Sequence, residues 1–170
     1  FSVLSAGDSG SFYYKQGPKK TIKGACHLQS LSNEHKLWFL VTVVATPGDS
    51  LADIDRKIRA DLCLALRQRH FVVIRYFMND LCTGTAIWTF QGYRDNTLRV
   101  FVELVKYVVD LCPRVFVIVG GGAASFNIEN GEAYDEAAAD LVKHAAENGA
   151  LAITGERQWS QVEMVSSGIH

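Results

Sequence analysis

Two glycine-bearing turns carry the residues whose types and spacing suit chemistry. Thr46-Pro47-Gly48-Asp49-Ser50 separates an apolar run from a helical pattern, and Gly120-Gly121-Gly122 does the same later, with Ser125 and Asn127 close behind. A helix N-terminus offers unpaired backbone N–H groups to an anion or a cofactor phosphate. Asp49, beside the first such terminus, competes for those donors. Three successive glycines remove every side chain, so a ligand or a second backbone can approach closely. Neither turn is a dinucleotide fingerprint or a P-loop, because G-x-G-x-x-G is absent and no Gly-Lys-Ser/Thr follows the glycines. A third group, Thr89, Gln91, Tyr93 and Arg94, follows another apolar run. The expected ligand-binding set is therefore Gly48, Asp49, Ser50, Thr89, Gln91, Gly120, Gly121, Gly122 and Ser125, and no catalytic set is assigned.

Other chemistry is weakly written. There is no G-x-S-x-G elbow and no H-E-x-x-H pair. Asp49, Asp53 and Asp55 cluster near a strand end, but Asp53 and Asp55 fall on different sides of one helical turn, so their oxygens do not converge on a Mg²⁺. The histidines, His27, His35, His70, His144 and His170, are scattered. His70 ends a helix, where a cation suits the dipole. Cys26, Cys63, Cys82 and Cys112 show no C-x-x-C spacing and read as reduced thiols, which points to a cytoplasmic protein.

Composition sets outer bounds. The chain has 170 residues, 48% of them apolar and 21% charged, with a formal net charge of −1. That is ordinary for one globular domain and implies neither a nucleic-acid nor a membrane partner. The longest apolar runs are too short to cross a bilayer.

The elements that must position these residues alternate. Leu37–Ala45 is apolar on both faces and reads as a buried central strand. Ser50, with Asp53 three residues on, has capping-box spacing. Leu51, Ile54, Ile58, Leu62 and Leu66 then form one helical stripe, and Asp53 and Lys57 form an i,i+4 pair. Phe71–Phe77, Thr85–Phe90 and Val115–Val119 read as further strands, Gly131–Tyr134 as a short one, and Ala150–Thr154 as the last. Thr97–Leu111 is a helix apolar nearly all round, so deeply buried or at a subunit contact, and residues 97–111 are the expected route to a homo-oligomer. A second helix runs from Tyr134 to Glu147 and stops at Asn148-Gly149. Phe12–Tyr14 and Thr21–Ala25 suggest a hairpin around Gln16-Gly17-Pro18.

This pattern implies a three-layer α/β, flavodoxin-like open parallel sheet of order 2-1-3-4-5 with an N-terminal extension. The divisions are an extension over 1–35, the α/β domain over 36–155 and a tail over 156–170.

Residues 37–148 resemble the cobalamin-binding domain of methyltransferases, mutases and related sensors. The likeness lies in Thr46–Ile54, which resembles the family's first strand-to-helix turn; in Thr89, at the place of its Ser; in Val119-Gly120-Gly121; and in Gly131–Tyr134. The cobalt-ligating His is absent, since Leu51 or Ala52 stands at its position, and Asp55 stands where the family has Gly. The resemblance thus implies a degenerate member: a non-catalytic sensory module for a small planar ligand, such as haem or another tetrapyrrole, or for a protein partner, with cobalamin held without a His from the first turn. The alternative is a small enzyme or enzyme subunit that binds a nucleotide or phosphate ligand at the same edge.

Overall fold

The computed structural model describes residues 1–7, 13–15, 21–23, 33–36, 40–46, 48–61, 66–76, 93–120 and 131–155. In chain order the strands are β1 (Ser2–Gly7), β2 (Tyr13–Lys15), β3 (Thr21–Lys23), β4 (Leu40–Ala45), β5 (Phe71–Tyr76), β6 (Val115–Val119) and β7 (Leu151–Thr154). The helices are α1 (Leu51–Asp61), α2 (Arg99–Leu111) and α3 (Gly131–Glu147), and a π-helical turn over Tyr93–Leu98 leads into α2.

Five strands form one parallel sheet in the order β4-β1-β5-β6-β7. Numbered along the chain, that is 2-1-3-4-5. The order is the one the sequence implies, but the strands that fill it differ. Ser2–Gly7, expected to belong to an extension, is the second strand across the sheet, hydrogen-bonded to β4 on one side and β5 on the other. Leu40–Ala45, expected to be central, is an edge strand, with Leu40 68% exposed and Val41–Ala45 half-buried. The reason is physical. The run Val3-Leu4-Ser5-Ala6 is short and carries a polar residue, so its periodicity is faint, yet all four side chains are buried, which requires cover on both faces. The hairpin of β2 and β3 forms as expected.

One core cluster lies on a single face of the sheet. Leu4 and Ala6 of β1, Val72, Ile74 and Tyr76 of β5, and Val115, Val117 and Val119 of β6 alternate along their strands and join Leu51, Ile54 and Ile58 of α1. Each of those α1 side chains contributes on the order of 1.5–3 kcal/mol by leaving water. The apolar character of residues 97–111 is largely accounted for here. Phe101, Leu104, Val105 and Val108 are buried in this same cluster, and Phe101 stacks on Tyr76.

Two further expectations meet the structure differently. Gly131–Tyr134, read as a short strand, is the first turn of α3, because the Ala-rich sequence after it propagates a helix backwards more readily than four residues sustain a strand. The strand expected over Thr85–Phe90 lies outside the described residues. No helix among the described residues is long and apolar enough to cross a membrane.

Candidate active site at the carboxyl edge of the sheet

In an open parallel sheet, ligands meet the carboxyl ends of the strands, at the point where the chain order reverses. Here that point lies between β1 and β5, whose neighbours continue in opposite directions. The register places Gly7 between Ala45 and Arg75 at this edge, and Tyr76, Val119 and Thr154 extend the row.

The described turn at this edge, after β4, is closed by its own side chains. The Thr46 N–H donates to Asp49 Oδ2 at 3.0 Å, and the Asp49 N–H donates back to the Thr46 carbonyl at 3.1 Å. Lys57 Nζ donates to the same carboxylate oxygen at 2.5 Å and to Thr46 Oγ1 at 2.7 Å. Gly48 sits at the tip with φ +85°, a conformation that side chains other than glycine's rarely adopt, and a Cβ built there would touch nothing within 4 Å. It is therefore glycine for its backbone, not because something packs against it.

Ser50 caps α1. Its hydroxyl donates to Asp53 Oδ2 at 2.7 Å, its N–H donates to the same oxygen at 3.1 Å, and its Oγ accepts from the Asp53 N–H at 3.2 Å. These reciprocal bonds are the expected capping box. They hold the Asp53 carboxyl below its usual range, with the Arg56 charge adding to the effect. The expected partner of Asp53, Lys57, goes instead to Asp49, and Asp53 pairs with Arg56. Asp55 pairs with Arg59 on another side of the helix, so the three aspartates do not converge.

The glycine turn after β6 is only partly described. The Gly120 N–H donates to the Tyr76 carbonyl at 2.9 Å, so it is spent on the sheet. The Gly155 N–H donates to the Val119 carbonyl at 2.8 Å, and a Cβ on Gly155 would lie 2.7 Å from the Gly120 oxygen. The close approach that this turn permits is thus to the chain's own backbone. Thr89, Gln91, Gly121, Gly122 and Ser125 lie outside the described residues. The structure therefore brings Gly48, Asp49 and Ser50 together after β4 and sets Gly120 three strands away, after β6.

Two histidines, His70 and His144, are away from this edge. His70 opens β5 at the opposite edge, where its Nδ1 accepts from the Ser2 N–H at 3.1 Å and Phe1 packs edge-on to its ring. His144 lies beside Asp140 and Glu147 on α3. Among the described residues, no group of His, Cys, Asp and Glu is arranged to hold a metal ion.

No protein-family model and no curated protein sequence matches this chain. Its structure is similar to solved structures. An acetylxylan esterase from Geobacillus stearothermophilus, Axe2, superposes with a TM-score of 0.69 at 14% identity, over 89% of this chain and 74% of that one. TesA superposes with a TM-score of 0.66 at 18% identity, over 89% and 77%. A lipase/acylhydrolase from Enterococcus faecalis gives 0.61 at 15% identity, over 89% and 74%. Catalytic mutants of Axe2, one replacing a serine and one a histidine, are similar too. At such identities the likeness establishes the fold alone, a three-layer α/β open parallel sheet.

These neighbours overturn the resemblance to cobalamin-binding domains, and with it the reading as a cobalamin, tetrapyrrole or sensory module. The physical reason is a displacement by one strand. The motif-like turn Thr46–Ile54 follows edge strand β4, not a first central strand, and the Thr46, Asp49, Ser50 and Asp53 N–H groups and the Asp49 and Asp53 carboxylates serve to close the turn and cap α1. These neighbours likewise give no support to the alternative of a nucleotide or phosphate ligand.

What the sequence reading missed is the start of the chain. Gly7 ends β1 and is followed in sequence by Asp8 and Ser9, a second Gly-Asp-Ser after a strand. The signal is the repeat of Gly48-Asp49-Ser50 in the first ten residues, and it is hidden because the faint periodicity of residues 1–35 reads as an extension outside the sheet.

Proposed function

We propose that the chain is a serine hydrolase that cleaves carboxylic esters, with Ser9 as nucleophile. The observation that carries this is the placing of β1 and β5 at the switch point, because in sequence Asp8-Ser9 comes directly after β1 and Asn79-Asp80 comes three residues after β5. β1 and β5 are the strands that flank the reversal of chain order. The likeness to esterase folds agrees with it.

The two Gly-Asp-Ser triplets separate on chemistry. The Ser50 hydroxyl already gives its proton to Asp53 as a helix cap, so it is poorly disposed to attack. Ser9 needs a base to take its proton. His170 is the histidine for that role, because its segment leaves the carboxyl edge at Gly155. Fifteen residues of chain reach up to about 50 Å when extended, against roughly 14 Å across the three strand spacings from β7 to β1.

Ser9 Oγ attacks the ester carbonyl while His170 takes its proton, and the carbonyl oxygen becomes an oxyanion. The Asn79 side-chain amide and the Gly48 backbone N–H, which follow in sequence the two strands paired with β1, donate to that oxyanion. Collapse expels the alcohol, which takes the proton from His170 and leaves an acyl group on Ser9. Water, deprotonated by His170, then releases the acid and restores the serine.

Hydrolysis of p-nitrophenyl acetate by the purified chain tests the proposal. Ser9→Ala is expected to lower kcat by about 10³-fold or more, as loss of a serine nucleophile does, while Ser50→Ala keeps most of the activity. Full activity in Ser9→Ala would overturn the assignment.

A further inference from the structure

Resting on the reading of Ser9 as nucleophile, the geometry points to Asp49 and Lys57 as positioning residues that hold the Gly48 peptide ready for the oxyanion. Three observations converge. The turn Thr46–Ser50 borders the end of β1, since Ala45 pairs in register with Gly7. It is cross-tied by the Thr46 N–H to Asp49 and by the Asp49 N–H to Thr46, and Lys57 fastens both to the second turn of α1. The ion pair is also well shielded, with side-chain exposures of 10% for Asp49 and 31% for Lys57.

Helix stability does not explain this arrangement. α1 already has its cap in Ser50 and Asp53, and a second buried carboxylate at the same end costs desolvation that needs a return elsewhere. What the clamp fixes is the four-residue turn with Gly48 at its tip, held at φ +85°. An oxyanion donor acts only if its direction is set before the charge develops, because reorientation during the reaction forfeits most of its effect. A turn tied from both ends by one carboxylate, itself tied to a helix by a lysine, meets that requirement.

The test is a set of variants assayed by kcat and KM on p-nitrophenyl acetate, with rates expressed per site titrated by a fluorophosphonate. Asp49→Ala and Lys57→Met are expected to lose about tenfold in kcat with KM changed less than about threefold, the signature of an interaction made in the transition state. Lys57→Arg, which keeps the charge on Asp49, is expected to restore most of the loss. Binding of a boronic acid, which forms a tetrahedral adduct on a serine, should weaken in parallel with kcat. Asp55→Asn, whose ion pair with Arg59 is on another side of α1, should match the parent chain. A loss that vanishes once rates are normalised to titrated sites would reduce the clamp to a folding device and overturn this inference, as would unchanged kcat in both variants. Retained activity in Ser9→Ala would instead overturn the hydrolase reading beneath it.

Discussion

The two serines of the two Gly-Asp-Ser triplets differ in what their hydroxyls have left to do. Ser50 is spent on α1, and its removal is expected to cost about 1 kcal/mol of stability, as loss of an N-cap does, visible as a lower midpoint in urea. The partner of that cap also carries a pH dependence. The folded-state pKa of Asp53 lies below its ordinary value of 3.8, because the charged form receives the Ser50 hydrogen bonds. Its stabilising contribution is therefore complete above the unfolded value and disappears as pH falls through that value toward the folded one. Asp53→Asn should flatten part of the fall in thermal midpoint between about pH 5 and pH 3, and an unchanged acid limb would contradict this. The capping box was legible in the sequence because a helix fixes its i,i+3 neighbours. The Lys57–Asp49 pair was not, because it links a helix to the turn before it.

At the scale of elements, helices and strong strands could be read and weak strands could not. α1, α2, β5 and β6 follow their hydrophobic periods closely. β1 is a core strand made of small and polar residues: Ser5 and Ala6 are as buried as Leu4 is, yet they carry little hydropathy. Placement of β1 decides the site, since its carboxyl end lies at the switch point. Taking Leu37–Ala45 as the central strand moves every motif one place along the sheet. The junction of β6 and β7 makes a sharper prediction. Gly155→Ala would push a methyl group to 2.7 Å from the Gly120 carbonyl oxygen, and because that neighbour is backbone the strain is expected to cost about 1–3 kcal/mol. Thermal unfolding monitored by circular dichroism measures it, and an unchanged midpoint would show that the two strands separate more easily than their hydrogen bond implies.

For the whole molecule, the sheet order 2-1-3-4-5 was legible because alternating strands and helices with right-handed crossovers allow few other solutions. The chemistry was not, because a fold of this kind serves many functions and the site resides in loops. One face of the sheet carries α1, α2 and α3 over a single core, and Gly7 lies on its carboxyl edge beside the switch point. The central claim is that the residue two places beyond Gly7 is a nucleophile activated by the fold. Reaction of the native chain with a fluorophosphonate, followed by digestion and peptide mass analysis, tests this most directly. One phosphonylated residue, Ser9, is expected in the peptide that follows β1, with labelling abolished by prior unfolding. Labelling at Ser50, or none at all in the folded chain, would contradict it.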